Sequence, residues 1–297
     1  MQTLDKFLNK IESYRKQKKY TSFCFPSEIA KIQENSLLFY YGNIHSQRGQ
    51  DGILAEIFRR LKITSGVFVE FGAWDGKYLC NSRWLYEKGW SGVFIEGVEK
   101  RFRALRDDYS DDLKITALNA FVGAPAYGVV GQRLSELLKG AGCDTESIDF
   151  LSIDVDGCDL ELLRDSQISP KVVLLEGGFN FAPYINGPAS PAAWKAGLQH
   201  PLGHIETIAA ELGFTLVCFY QDSYLVRSDL AGPFLDIAQG AVSLYCDAFN
   251  FMPQDFRKQL IDLRRRNALI RKFEEDIFGM FCESPIDSRY VAARQKA

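Results

Sequence analysis

A glycine-containing acidic segment at residues 70–76, with the sequence EFGAWDG, is the first stretch whose residue types and spacing indicate chemistry. It follows an apolar run, so we predict that Gly72 and Gly76 lie at the exit of a strand and ahead of a helix. Glycine lets the backbone turn sharply and approach a ligand closely. The dinucleotide pattern G-x-G-x-x-G is absent, so this bend need not cradle a phosphate.

A second acidic residue, Glu96, ends the next apolar run. At the end of a parallel strand its carboxylate can accept hydrogen bonds from both hydroxyls of a ribose. Acidic residues at this point serve nicotinamide-dependent enzymes and methyltransferases alike, so Glu96 alone does not distinguish them. The alternative is a solvated charge at a strand end.

The block from Asp149 to Gly157, with the sequence DFLSIDVDG, places two carboxylates beside a predicted core strand. Alternation directs Asp154 and Asp156 to the same side if the strand continues that far. One can act as a general base, or both can hold a divalent cation through oxygen ligands. The alternative is a helix N-cap cluster, because Asp156 and Asp159 precede a predicted helix.

Two further base candidates lie later in the chain, Glu176 after the fifth apolar run and His204 beyond a stretch rich in proline and glycine. His200 and His204 are spaced as metal ligands on one helical turn would be. Pro201 between them argues against that shared turn. The candidate bases are therefore Asp154, Asp156, Glu176 and His204, and a structural role is the common alternative for a histidine.

Short apolar runs alternate with amphipathic stretches from Gly66 onward, which predicts an α/β fold with a parallel sheet and helices on both faces. The predicted strands are 67–72, 92–96, 114–122, 150–155, 171–176, 214–220 and 224–227, with a hairpin turn at 221–223. The predicted helices are 3–19, 50–61, 81–88, 100–109, 132–139, 160–165 and 205–212, followed by a helical tail after residue 253.

Right-handed crossovers place the carboxyl ends of parallel strands on one edge of the sheet. This geometry predicts that the following residues are neighbours there: Gly72, Glu96, Asn119, Asp154 and Glu176. We divide the chain into a helical N-terminal extension at 1–62, a ligand-binding α/β domain at 63–232, and a mostly helical C-terminal extension at 233–297.

Four blocks in order resemble the FkbM-like methyltransferases, a group of the class I S-adenosylmethionine (SAM)-dependent enzymes, and a related methyltransferase-like family. The blocks are SQRGQD at 46–51, the acidic glycine segment at 70–76, LYEKGWSG at 85–92, and DFLSIDVDG at 149–157. The resemblance extends from Ser46 to Asp229. It implies a Rossmann-like doubly wound sheet of seven strands, mostly parallel with an antiparallel last strand, and SAM-dependent O-methylation of a small molecule or a glycan.

The resemblance also implies roles for individual positions. The residues that would line the methionine end of SAM are Glu70, Gly72, Trp74, Asp75 and Gly76. Asn81 and Ser82 would add contacts from the following helix, and Glu96 would hold the ribose. Asn119 and Ala120 would lie near the adenine, and Asp154 beside the sulfonium.

The composition is that of a globular protein, with 46% hydrophobic and 25% charged residues and a formal net charge of -3. This balance argues against bulk electrostatic capture of nucleic acid or an anionic membrane. No apolar run reaches the roughly 20 residues that span a bilayer, and the N-terminus is too charged for a secretory signal. Seven scattered cysteines without a C-x-x-C pair suit reduced thiols, so we expect a cytoplasmic protein.

Two rival functions stay open at this stage. A nicotinamide-dependent oxidoreductase would use a similar sheet, against which the missing third glycine counts. A non-catalytic module on a methyltransferase fold is the other, because a fold does not establish an activity. It is kept open by Glu176–Gly178, which replaces the E-x-N that often follows strand five in FkbM-like proteins. Asp156, where glutamate is common in those proteins, is a second departure from their pattern. The acceptor, the metal dependence and the oligomeric state are not indicated by the sequence.

Overall fold

The computed structural model describes residues 32–155, 157–190, 192–193, 196–237, 240–287 and 289. The helix predicted over residues 3–19 lies outside this part of the chain, and so does Asp156.

The central element is a seven-stranded sheet with the strand order β3-β2-β1-β4-β5-β7-β6. Its strands are β1 Val67–Phe71, β2 Ser91–Glu96, β3 Ile115–Asn119, β4 Ile148–Ile153, β5 Val172–Glu176, β6 Phe214–Tyr220 and β7 Asp222–Arg227. Strands β1 to β5 pair in parallel, and β7 runs antiparallel to both β5 and β6. The predicted Rossmann-like fold, including the antiparallel last strand, is confirmed.

Helices flank the sheet and follow its strands in the predicted alternation. They are α1 Gln50–Leu61, α2 Arg83–Glu87, α3 Glu99–Tyr109, α4 Leu134–Gly140, α5 Asp159–Asp165, α6 Leu202–Glu211, α7 Ala241–Phe251, α8 Gln254–Arg266 and α9 Ala268–Phe278. Because helices cover both faces, a central strand is buried along its whole length. Every residue of β4 is buried, including the polar Asp149 and Ser152.

Several predicted boundaries were wrong for identifiable reasons. The helix predicted over 81–88 begins only at Arg83, because the backbone N–H groups of Asn81 and Ser82 donate to the Glu70 carboxylate. The strand predicted over 114–122 ends at Asn119, after which Val122 forms an isolated bridge with a residue of the next connection.

The hairpin predicted around residues 221–223 is present, but its turn is shorter than predicted. Gln221 alone connects β6 to β7, with φ of +60°. Asp222 and Ser223 instead belong to β7, where Asp222 pairs with Glu176 of β5 and with Tyr220 of β6. This register brings the first residue of β7 to the edge where β5 ends.

Aromatic packing fixes α1 against the sheet. The ring of Phe58 lies 5.1 Å from that of Trp90 and 5.9 Å from that of Phe150, measured between centroids. The N-terminus of α1 reaches the same sheet edge as β7, because the Gln50 side chain donates to Asp222 at 2.7 Å. The segment ahead of the first strand therefore takes part in the edge.

The C-terminal helices are tied to the rest of the chain by a buried ion pair between Arg264 of α8 and Glu274 of α9. Arg264 also donates to the carbonyl oxygen of Asn180, and Glu274 accepts the backbone N–H of Ala182. Both charges are thus compensated, as burial requires. None of the described helices is both long enough and apolar enough to cross a membrane.

Candidate functional site

A cavity of about 480 Å³ opens at the edge of the sheet where β1, β2 and β4 end. Its lining includes Gly72 after β1, Glu96 at the end of β2, and Asp154 after β4. The start of α1 and the first residue of β7 contribute Gln50 and Asp222. A cavity of this size lies in the range of small-molecule pockets, roughly 300–1,000 Å³.

The bend after β1 requires glycine at position 72. Gly72 has φ of +78°, and a β-carbon added to it would overlap the backbone carbonyl oxygen of Asp154. Any side chain here would strain the backbone and force the loops after β1 and β4 apart. Gly76 also has a positive φ, but it lies outside the cavity lining and accepts a hydrogen bond from the Tyr109 hydroxyl at 2.9 Å.

Glu96 is a buried carboxylate that joins the ends of β1 and β2. Its Oε2 accepts the backbone N–H of Trp74 at 2.9 Å, and its Oε1 accepts that of Val98 at 2.7 Å. Each carboxylate oxygen can accept more than one hydrogen bond, so Glu96 keeps capacity for a ligand. The two strand ends that the sequence analysis linked therefore meet at one cavity.

Glu70 lies behind the cavity and does not line it. Its carboxylate accepts the backbone N–H groups of Asn81 at 3.1 Å and Ser82 at 2.8 Å and lies 3.2 Å from the Cys80 thiol. Burial raises the pKa of Glu70, while these hydrogen bonds act in the opposite direction. Asn81 does line the cavity and donates to the Ser152 hydroxyl at 3.1 Å, whereas Ser82 is fully buried behind it.

Trp74 and Arg101 form the outer wall. Trp74 is 44% exposed and has a φ of +52°, and the guanidinium carbon of Arg101 lies 3.8 Å from its ring centroid. Asp75 lies outside the lining, where its carboxylate accepts the backbone N–H groups of Lys77 and Tyr78 and stabilises the turn.

The residues after β3 divide between lining and support. Ala120 and Phe121 line the cavity. Asn119 does not, and its side chain donates to the backbone carbonyl oxygen of Glu96 at 2.8 Å. Asn119 thereby fixes the end of β2 relative to β3.

Asp154 lines the cavity, and a second carboxylate, Asp159, closes the loop behind it. Asp159 accepts the backbone N–H groups of Val155 at 3.0 Å and Gly157 at 2.9 Å. Burial and, secondarily, the charge of Asp154 raise the pKa of Asp159 to about 8. Asp159, the first residue of α5, thus holds the loop ahead of the helix, and the N-cap residue Cys158 makes no side-chain capping hydrogen bond.

The predicted cation site involves Asp154 and Asp156. Among the described residues, no three His, Cys, Asp or Glu side chains are grouped so as to hold a metal ion. Asp156 is outside the described part of the chain, so the pair has no geometry to report.

Glu176 and His204 lie outside the cavity lining. Glu176 Oε1 is 3.9 Å from Nη1 of Arg48, which does line the cavity.

His204 is buried in the first turn of α6, with a ring centroid 5.3 Å from that of His200. Burial and, secondarily, the charge of His200 lower the pKa of His204 to about 4. His200 is bound on both sides, with Nε2 2.9 Å from Glu161 Oε2 and Nδ1 accepting the backbone N–H of Ala189.

Sequence reasoning missed Gln50, Arg48 and Asp222 as site residues. Asp222 is 4% exposed, and its Oδ2 accepts from Nε2 of Gln50 at 2.7 Å. Burial and, secondarily, the charge of Asp154 raise the pKa of Asp222 to about 7. The SQRGQD block held the signal for Gln50. Asp222 could have been found from the antiparallel direction of the last strand. An antiparallel strand begins at the edge where the parallel strands end, so its first residue lies there.

No family model and no curated protein matches the chain. Solved structures similar to it include TrmK of M. capricolum in complex with S-adenosyl-homocysteine (SAH), with a TM-score of 0.39, 9% identity, and coverage of 81% of this chain and 92% of that one. SAH-bound methyltransferase PaMTH1 of Podospora anserina has a TM-score of 0.35 and 15% identity over 61% and 79% of the two chains. Monomeric WbdD has a TM-score of 0.39 and 16% identity over 59% of this chain, and the match spans 40% of the WbdD chain.

Proposed function

We propose that this chain is a SAM-dependent methyltransferase that transfers the methyl group to a hydroxyl oxygen of a small molecule or a glycan. The observation that carries the proposal is the hydrogen bond from the backbone N–H of Trp74 to the Glu96 carboxylate. It joins the glycine bend after β1 to the acidic end of β2 at a single cavity, and an acidic residue at the end of the second strand is where a sheet of this kind binds a ribose diol.

The residues present fit SAM in three respects. The Gly72 bend leaves room for close approach of the methionine part, because it carries no β-carbon. Glu96 has remaining acceptor capacity for the ribose hydroxyls. Asp154 and Asp222 place two carboxylates on the β4–β7 side, where they favour a positively charged sulfonium.

The supporting residues act from behind the cavity. Glu70 holds the start of α2 so that Asn81 lines the wall, and Asn119 holds the end of β2. Gly76 and Asp75 shape the loop after β1, and Ser82 completes the anchor at Glu70. We propose that Ala120 borders the adenine.

The acceptor proposal depends on the rim of the cavity. Trp74, Tyr78 and Phe121 are exposed large aromatic residues in its lining. The rings of Trp74 and Tyr78 are adjacent, with centroids 5.8 Å apart. Exposed apolar surface marks ligand grooves, and flat aromatic faces suit the ring of a sugar. We also propose that the chain is related to the FkbM-like methyltransferases, because four sequence blocks resemble theirs in order. The ligand-binding domain would then span residues 63–232, between the two helical extensions.

Calorimetric titration of the full chain with SAM, SAH and NAD tests the cofactor. Binding of SAM and SAH without binding of NAD supports the proposal, and the absence of heat with millimolar SAM rejects it. Transfer of a labelled methyl group from SAM to a panel of methyl glycosides and small alcohols then tests the acceptor class. Binding of SAM without transfer to any member of the panel would favour the non-catalytic module.

A further inference from the structure

Two buried carboxylates line the cavity, and their environments differ. Glu96 accepts two backbone N–H groups, one at each oxygen. Asp222 accepts a single hydrogen bond, from Gln50 to Oδ2, and no described residue donates to its Oδ1. A buried carboxylate with so few donors is poorly stabilised as an anion, so Asp222 is the better proton acceptor of the two.

Gln50 fixes the direction of this contact. Its Oε1 accepts the backbone N–H of Arg48 at 2.5 Å, so its amide nitrogen is the group directed at Asp222. The donor leaves the second oxygen of Asp222 unengaged. Gln50 therefore orients the carboxylate without occupying both of its oxygens.

The register of the sheet places Asp222 on the side of the cavity remote from the ribose carboxylate. Asp222 pairs with Glu176 of β5, whereas Glu96 ends β2, and β1 and β4 lie between β2 and β5 in the strand order. The proposed binding mode sets the sulfonium on this β4–β7 side, so the hydroxyl oxygen that attacks its methyl group must reach this side, while the rest of the acceptor contacts the aromatic rim. Asp154, after β4, is the cavity carboxylate that lies between the two.

We propose that Asp222 is the general base of the acceptor site, oriented by Gln50. The inference rests on the proposed function. Asp222 Oδ1 takes the proton of the acceptor hydroxyl as the acceptor oxygen forms its bond to the methyl carbon. When bound, SAM supplies that electrophilic methyl group, and the electron pair of the broken carbon–sulfur bond stays on sulfur to give neutral SAH. Asp222 then returns the proton to water.

The charges around Asp222 agree with this role. Burial and Asp154 raise its pKa to about 7, while Arg48 and the Gln50 hydrogen bond act in the opposite direction. Tyr224, two residues along β7, is fully buried with its own pKa raised. A base with a pKa near the working pH accepts a proton and releases it with comparable ease.

A calorimetric comparison of SAM with SAH tests the proposal without an acceptor. The positive sulfonium favours ionised Asp222, so SAM releases protons on binding relative to neutral SAH, up to about half a proton per site near pH 7. Titrations in two buffers with different ionisation enthalpies measure this difference. We expect Asp222→Asn to reduce this difference in proton release at least twofold. The exposed control, Asp107→Asn, should leave the difference unchanged. If Asp222→Asn releases as many protons on binding SAM, relative to SAH, as wild type does, the proposal is overturned.

Turnover with the glycoside panel gives a second readout. Asp222→Asn retains an oxygen that can accept from Gln50, so we expect folding and SAH affinity to be kept, while SAM binds more weakly because its sulfonium loses a nearby negative charge. At saturating SAM we expect kcat to fall about 100-fold or more and the acidic limb of the pH profile to disappear. A kcat within threefold of wild type, or an unchanged pH profile, overturns the proposal. If wild-type protein binds neither SAM nor SAH, the proposed function fails instead.

Discussion

The carbonyl oxygen of Asp154 occupies the space that a β-carbon on Gly72 would need. The loops after β1 and β4 are therefore in contact across the floor of the cavity, and neither can move inward. This close approach fixes the bend after β1 where the proposed cofactor binds.

Replacing Gly72 with alanine should abolish tight SAM binding, because the new β-carbon both strains the backbone and displaces the loop at Asp154. The matched control is Gly128→Ala. Gly128 has φ of +75°, close to the +78° of Gly72, but a β-carbon there meets nothing within 4 Å. We expect both variants to lose about 1 kcal/mol of stability from the backbone conformation, and only Gly72→Ala to lose more and to lose SAM affinity. Equal SAM affinity of the two variants by calorimetry would contradict the assignment.

Replacing Glu96 with glutamine should weaken SAM binding about 10- to 100-fold, which corresponds to roughly 1.4–2.8 kcal/mol. The amide presents N–H groups where the carboxylate accepts the backbone N–H of Trp74 or Val98, and it removes a charged acceptor from the cavity. Glu99→Gln is the control, since Glu99 is an exposed partner of Arg103 on α3. Calorimetric titration with SAM measures the change. A SAM affinity in Glu96→Gln equal to that of wild type would exclude a contact between Glu96 and the ribose.

Much of the fold was predictable, because the apolar runs and their order determine a sheet of this kind. Gly72, Glu96 and Asp154 reach one cavity as the strand-edge rule predicts. The rule could not reveal Glu70, whose carboxylate is held behind the wall by the start of α2. It also missed Asp222, because it applies to the carboxyl ends of parallel strands whereas β7 starts at that edge.

Replacing His204 should change the pH dependence of the free energy of unfolding and leave the affinity for SAM unchanged. Its pKa of about 4 in the folded state lies below the ordinary value of 6.5, so the unfolded chain binds a proton that the folded chain does not. The free energy of unfolding should therefore decrease as the pH falls from about 6.5 toward 4. Urea denaturation near pH 7 and near pH 5 should show a smaller decrease in His204→Leu than in wild type. A loss of SAM affinity in this variant without a loss of stability would argue for a direct role.

Loss of the arginine should destabilise the fold far more at the buried pair of Arg264 and Glu274 than at the neighbouring exposed pair of Arg265 and Glu283. Arg264→Met leaves Glu274 without its cation in the core, and we expect a loss of about 3–5 kcal/mol of unfolding free energy. Arg265 lies one residue later and pairs with Glu283 at the surface, with both side chains more than half exposed. Arg265→Met should cost less than about 1 kcal/mol. Similar midpoints of chemical denaturation for the two variants would contradict this difference.

The central claim is that the glycine bend after β1 and the carboxylate at the end of β2 together form a SAM site. The most direct measurement is calorimetric titration of SAM into the wild-type chain and into Glu96→Gln. The account predicts saturable binding at one site per chain and a weaker affinity in the variant. Binding of NAD in preference to SAM, or no heat with millimolar SAM, would contradict it.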